Sequence, residues 1–405
     1  MSGAVVEVAA PSIWRQQPFW NLFVPAIGVG LEQQIVFIAL PLLVYQATAS
    51  TIEMNLVRGL GLLPNLLLAF VIGAIVDQAD KKSWLVLALA AQAACLCGLA
   101  LAFQQDNVQP ALTYPLIFFL STAIYAYYNA QTVALKMALR QEDLGPATAA
   151  LSSIGQAFQM LGPALAGLLL MLPSPSASLW AAAIVALLGF AAVLRLKLPH
   201  AVKNPGERLG VRIAEGWEAL QANRPLWLLT LVVIVTNSAA GMFSITMLQK
   251  PQAAGLSGAQ IGLMFSVAGG IGVTGALLAP RVRQRFTMGG ACLLGLGFVT
   301  LCYAAASLAS HPVTLTAILA CDAFFGMIYN VMTWTLRQET TPTPVIGRVT
   351  GMTGSLFKLA MPFAIVAAGL LSEQAGMGLV FLASAALNGA MLVAFWLTPA
   401  LRNLK

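Results

Sequence analysis

A chain of 405 residues that is 59% hydrophobic and 9% charged, with a mean hydropathy of +0.83, carries more apolar surface than a soluble fold can bury. Its net charge of +7 and pI near 9.3 follow from where its basic residues fall in a membrane topology, so no nucleic-acid partner is needed to explain them. All five cysteines lie in apolar stretches, where they pack as small hydrophobes, so neither a disulfide framework nor a metal cluster is expected.

Apolar runs of roughly the 20 residues needed to cross a bilayer recur along the chain. The sequence predicts spans at 21–45, 53–76, 83–103, 112–133, 147–172 and 179–198, then at 225–248, 257–280, 287–308, 312–333, 345–371 and 378–397. All are read as helices, because barrel strands would alternate polar and apolar residues over short segments. The expected fold class is an all-α membrane protein, twelve transmembrane helices in two pseudo-symmetric six-helix bundles. Its expected domains are 1–198, a cytoplasmic linker at 199–224, and 225–405. The opening residues lack a basic leader followed by a short apolar core, so the first span is expected to remain uncleaved.

Loops that stay in the cytoplasm keep Lys and Arg. With both termini inside, every one of the 21 Lys and Arg residues falls on the cytoplasmic side except Lys250, in an outer loop, and Arg58 and Lys358, within spans. The expected location is therefore the inner membrane, multi-pass, with both termini cytoplasmic. Within the linker, Leu209, Ile213, Trp217 and Leu220 share one helical face, which suits either an amphipathic helix on the inner membrane surface or a plain tether.

A duplication is written into the chain. Arg140-Gln141-Glu142 and Arg337-Gln338-Glu339 each follow an apolar stretch ending in Leu and stand nearly half the chain apart. Gly73-Ala74 is matched by Gly275-Ala276, and Gly162-Pro163 loosely by Met361-Pro362.

The loop after span two, Gly73-Ala-Ile-Val-Asp77-Gln78-Ala-Asp80-Lys81-Lys82, resembles the signature G-x-x-x-D-R-x-x-R-R/K of the major facilitator superfamily. Gln78 stands where the signature has Arg, and Asp80 adds an acid. Gly162-Pro163 with Gly155 and Gly167 is similar to the glycine-proline motif of that superfamily's antiporters. The segment Thr341-Pro342 to Gly347-Arg348 and Gly351, with Ser257, Gln260 and Gly262, is similar to the enterobactin-exporter and macrolide-efflux type of drug and siderophore exporters. The resemblance covers nearly the whole chain. It implies export of a small organic molecule by alternating access, with Asp77, Asp80, Lys81, Lys82, Gly162 and Pro163 among the gating residues.

Ionisable residues within a bilayer are costly and mark function by default. Four stand in predicted spans: Glu32, Arg58, Asp322 and Lys358. Asp322 and Lys358 are equidistant from a hairpin centre near Thr340, which would bring them to one depth as a neutralising pair. Glu32 and Arg58 differ in depth by about 12 Å at helical rise. Arg58 is then left to snorkel outward or meet an anionic substrate, and Glu32 is left as the unpaired acid. Glu32 is a candidate to bind a proton or a substrate cation, against the alternative of a structural acid satisfied by a neighbour; Asp322 is the second proton-coupling candidate.

Tyr125, Tyr128 and Asn129 share a face of span four, as Asp322 and Tyr329 do on span ten, and Asn237 with Gly241 and Ser244 forms a weaker face on span seven. Rings with polar tips suit a bulky organic ligand, although Tyr also serves as packing. The expected substrate contacts are thus Glu32, Arg58, Tyr125, Tyr128, Asn129, Asn237, Asp322, Tyr329 and Lys358. Arg140, Glu142, Arg337 and Glu339 mark the cytoplasmic ends of spans four and ten, as a shared gate or as plain orienting charge.

The expectation is a monomeric secondary transporter whose partners are a small-molecule substrate, protons and the bilayer, with no cofactor. No G-x-x-x-x-G-K-[ST] loop points to ATP, and with only His200 and His311 and no H-E-x-x-H or G-x-S-x-G an enzyme is not expected. Import on the same fold and a sensory role remain as alternatives.

Overall fold

The computed structural model describes residues 13–68, 80–104, 109–169, 174, 176–198, 209–342 and 346–404. The described residues are helical throughout. The first span is composite: α1 (Gln17–Gln34), a π-helical turn (Ile35–Ala39) and α2 (Leu40–Thr48) run on from one another. Span two opens with α3 (Thr51–Leu60), breaks at Gly61 and Leu62, and resumes as α4 (Leu63–Leu67). Then come α5 (Lys81–Gln104), α6 (Pro110–Ala138), α7 (Leu144–Leu169) and α8 (Ala177–Leu194).

The linker holds α9 (Leu209–Ala222). Beyond it lie α10 (Arg224–Ala253), α11 (Gly258–Arg285), α12 (Met288–Leu308) and α13 (Pro312–Thr340). Span eleven is split into α14 (Ile346–Leu356) and α15 (Met361–Ala375), and α16 (Met377–Leu397) with the short α17 (Pro399–Arg402) closes the chain. Among the described residues, 10 helices or composite helices are long and apolar enough to cross a membrane. With α3–α4 and α7 at the second and fifth positions, the chain follows the expected twelve-span order.

Local sequence explains many helix starts. Helices α6 and α13 begin on Pro110 and Pro312, and α10 has Pro225 as its second residue, positions where the missing N–H has no intrahelical partner to lose. Helix α11 begins with a capping box: the Gln260 N–H donates to Ser257 Oγ at 3.3 Å, and the Ser257 N–H donates to Gln260 Oε1 at 2.9 Å. Lys250, the outer-loop cation of the sequence reading, lies in the last turn of α10 and donates to the Ala306 carbonyl at the end of α12 at 2.9 Å.

Lipid is as apolar as a helix face, so helix contacts here depend on close approach rather than on water exclusion. A Cβ on Gly28 would meet Val185 of α8, and one on Gly295 would meet Tyr329 of α13. The apolar side chains form one cluster from Ile13 to Leu196 and another from Leu229 to Leu401. A third joins Leu42, Met54 and Leu62 to Phe243, Ile365 and Phe381, and so ties the two bundles together. Between bundles, α3 packs on α15 and α7 on α11, which are equivalent pairs under the duplication.

Candidate functional site

Glu32 is fully buried in α1, one turn before the π-helical segment, and neither of its carboxylate oxygens has a hydrogen-bond partner among the described residues. A π turn inside an α-helix is uncommon and recurs at functional sites, because it shifts the register of the side chains beyond it. Tyr127 and Tyr128 of α6 lie within electrostatic reach of Glu32. Their rings meet edge to face at 5.8 Å. Helix α7 closes the other side: a Cβ on Gly30 would meet the Phe158 ring, and one on Gly162 would meet the amide of Gln34. The glycine of the Gly162-Pro163 motif therefore admits α7 against the helix that carries Glu32.

Arg58 does not snorkel. Its guanidinium turns inward over the Phe37 ring of the π-helical segment, 4.2 Å from the centroid, and its Nε and Nη1 are out of solvent contact without an acceptor among the described residues. Lys358 sits in the unwound stretch between α14 and α15.

The expected pairing of Asp322 with Lys358 does not form; no ion pair joins them. Equal depth fixes height but not azimuth. The unwound residues 357–360 carry Lys358 off the face that a continuous helix would present, while Asp322 stands within electrostatic reach of Cys302 and Tyr303 on α12.

Asn237, read as a substrate contact, has its amide engaged inside the protein: Nδ2 donates to the Phe357 carbonyl at 2.9 Å, capping a group that the break in span eleven leaves free. Its neighbour on that face, Gly241, lies against Met361 and Ile365. The face is thus a packing surface for the broken helix. Tyr125 and Asn129 are half-buried, and the Asn129 amide donates to the Tyr125 carbonyl. Tyr329 is buried beside Thr236 and Thr333. Sequence reasoning passed over Tyr127 and Gln131. Gln131 Nε2 donates to the Leu22 carbonyl at 3.1 Å and to Tyr127 Oη at 3.1 Å, so this polar pair one turn apart fixes α6 against α1.

The two Arg-Gln-Glu copies differ. Arg140 and Glu142 are exposed, and among the described residues they meet each other, at 3.4 Å. In the second copy Glu339 receives both Arg283 Nη1 and Nη2, at 2.7 and 2.8 Å, joining the ends of α13 and α11. Arg337 Nη1 reaches Thr353 Oγ1 of α14 at 3.3 Å. Asp77, with Gly73, Ala74 and Gln78, lies outside the described residues. Asp80 caps α5 by accepting from the Ser83 N–H at 2.8 Å; Lys81 is buried and Lys82 half-buried beside it. Pro163 lies in α7.

At the end of the molecule opposite the chain termini the bundles are joined. Glu373 Oε1 of α15 accepts from Thr51 Oγ1 at 3.2 Å and from the Ile52 N–H at 3.3 Å, at the start of α3. A Cβ on Gly369 would stand 3.0 Å from that of Asn55.

Two helical bundles meeting across broken and π-turned spans, with unpaired charges at the seam, define a membrane transporter. Residues 22–365 match the Major Facilitator Superfamily, and the chain belongs to that family. It is similar to the multidrug efflux pump Tap of Mycobacterium bovis BCG, at 27% identity over 381 residues covering 89% of this chain and 87% of the pump. Tap of Mycolicibacterium fortuitum is 24% identical over 396 residues, covering 91% and 92%. Among solved structures, the nucleoside transporter NupG superposes with a TM-score of 0.69 at 12% identity, covering 94% of this chain and 98% of that one. A bacterial homologue of the iron transporter ferroportin gives 0.66 at 14% identity, covering 93% and 98%.

Proposed function

We propose that this protein is a proton-coupled exporter of a small, drug-like organic molecule or siderophore, working by alternating access. Similarity to multidrug efflux pumps along nearly the whole chain supports export. Proton coupling rests on one observation, the Glu32 carboxylate sealed from solvent with neither oxygen partnered among the described residues. An ionised carboxylate held this way bears its desolvation cost uncompensated, and a proton or a cationic group relieves it. If the two compete for Glu32, occupancy by one favours release of the other, and binding to either bundle arrangement shifts the balance between them.

In this reading the termini face the cytoplasm, where the basic loops gather. Domains divide at the 199–224 linker, Asp322 is a second protonation site, and Tyr125, Tyr128, Asn129 and Tyr329 line the substrate path of a monomer. The Arg337, Glu339 and Arg283 contacts, with Asp80, Lys81 and Lys82 on the other bundle, form the cytoplasmic gate.

The test is efflux of a fluorescent drug from proteoliposomes under an imposed proton gradient. Glu32→Gln is expected to fold and bind but to lose gradient-driven flux by at least about tenfold, one factor of ten being worth about 1.4 kcal/mol in the coupling step. Undiminished gradient-driven flux in Glu32→Gln would remove Glu32 from the mechanism.

A further inference from the structure

Arg58 and Lys358 are the two cations that the sequence places within spans, and neither forms an ion pair with a described acid. Both belong to the pair of spans, two and eleven, that meet along the seam between bundles. Gly59, next to Arg58, lies against the first turn of α15: a Cβ there would be 3.1 Å from Val366 Cγ2 and 3.3 Å from the Pro362 carbonyl. Lys358 occupies the break one turn before Pro362.

Arg58 has no acceptor for its buried donors among the described residues. Its side chain lies on the Phe37 ring, which fixes the plane of the guanidinium; Nε and Nη1 have no acceptor among the described residues, and the residue as a whole keeps partial exposure. A buried donor fork without an acceptor is costly and is rarely left so without a reason. Around it the lining is apolar: Phe37 and Met361 both border the cluster that joins the bundles. Lys358 is likewise half-buried, with no side-chain hydrogen bond to a described residue.

We propose that the seam between α3 and the α14–α15 break is a binding subsite for the anionic group of an apolar organic acid, gripped by Arg58 with Lys358 as the second cation. This rests on the reading of the seam as the transport path and names the class of substrate that path takes. The grip spans both bundles, since Arg58 belongs to the first and Lys358 to the second. An organic anion bound there therefore bridges the two moving parts, which is where a ligand has most leverage on their equilibrium. A carboxylate and a lipid phosphate share this chemistry, and the test separates them.

The experiment uses the full chain in nanodiscs of phosphatidylcholine, with no gradient, and reads fluorescence polarisation of two probes that share a xanthene body: fluorescein, an anion, and rhodamine 123, a cation. Fluorescein is expected to bind the wild type. Arg58→Gln should weaken it by about tenfold or more, the usual scale for losing a charge-assisted hydrogen bond in a shielded site. Arg58→Lys should keep part of the affinity, and Lys358→Gln should cost a smaller factor, about threefold. Rhodamine 123, which gains nothing from a cation, should show no such preference for the wild type, and an unchanged melting temperature in the disc shows that Arg58→Gln is folded.

Repeating the titration with phosphatidylglycerol in the disc identifies the source of the anion. Weakened fluorescein binding in the wild type alone would show that a headgroup competes for the same cations; unchanged binding would show that the subsite takes the organic acid. Either result supports an anion subsite. Failure of fluorescein to bind the wild type, or equal binding by wild type and Arg58→Gln, overturns it. Because no proton gradient enters, that failure would leave proton-coupled export standing, and loss of coupling in Glu32→Gln would leave the subsite standing.

Discussion

A Cβ placed on Gly275 would run into the backbone carbonyl of Phe324, whereas one placed on Gly270, on the same helix, meets nothing within 4 Å. The contrast turns a repeat marker into a packing statement. Backbone cannot rotate aside as a side chain can, so Gly275→Val should separate α11 from α13 and destabilise the second bundle by about 1–3 kcal/mol. Gly270→Ala should be nearly neutral. Melting of the two variants in detergent checks this, and equal melting temperatures would refute the close crossing. The sequence made Gly275-Ala276 visible as an echo of Gly73-Ala74, but an echo does not say which neighbour a small residue admits. The same limit applies to Asp322 and Lys358: counting from a hairpin centre gives depth, while pairing also needs the azimuth of both helices, and four unwound residues were enough to change it. Ser257 and Gln260, taken in the sequence only as part of a family motif, form a capping box, a contact that needs no such information because both partners lie within one turn of the same chain.

Helix α9 carries the same lesson to larger units. Its amphipathic pattern was readable, but what covers the apolar face was not. Leu220 is fully buried with Leu226 and Val349, and Trp217 meets Trp227 edge to face at 5.2 Å, so the linker helix docks on α14 and the start of α10 rather than acting as a plain tether. Asn223 continues the attachment, donating to Thr340 Oγ1 at 2.9 Å. Helix α14 is thus held at its free side by α9 and, through Thr353, by Arg337. The half-helix before the break has two ties that a continuous span would not need. Putting a charge into this contact should release α9, because a buried carboxylate without a partner costs more than the small cluster provides. Leu220→Asp is expected to speed tryptic cleavage at Arg208 or Arg212 severalfold while the bundles keep their melting temperature. Cleavage at the wild-type rate would mean that α9 is held elsewhere. The Arg283–Glu339 pair is a weaker tie despite its two short hydrogen bonds: its side chains are 32% and 49% exposed, which limits it to at most about 1 kcal/mol.

At the scale of the whole molecule, the duplication predicts that each contact between bundles has an equivalent, and the pairs α3 with α15 and α7 with α11 meet that expectation. Equivalence does not make the two ends alike. Opposite the termini, the Glu373 carboxylate receives two donors from the start of α3, and Asn55 and Gly369 bring the backbones of α3 and α15 together. At the end that bears the termini, Gln16 donates to Asp143 within the first bundle and Arg283 donates to Glu339 within the second. The end opposite the termini is held shut by these contacts. Alternating access then requires this closed end to part, because packed interfaces switch between discrete arrangements rather than deform continuously. A covalent bond across it should hold the protein in the arrangement seen here. The Cβ separation at Asn55 and Gly369 is near the range a disulfide needs. In a background with the five native cysteines replaced, N55C/G369C should therefore cross-link on oxidation, stop transport, and recover it on reduction. Cross-linking must be complete for the result to count, which loss of free-thiol labelling establishes. Transport that continued through a fully oxidised pair would show that the α3–α15 contact is a fixed hinge, and the parting surfaces would then have to be sought along α7 and α11.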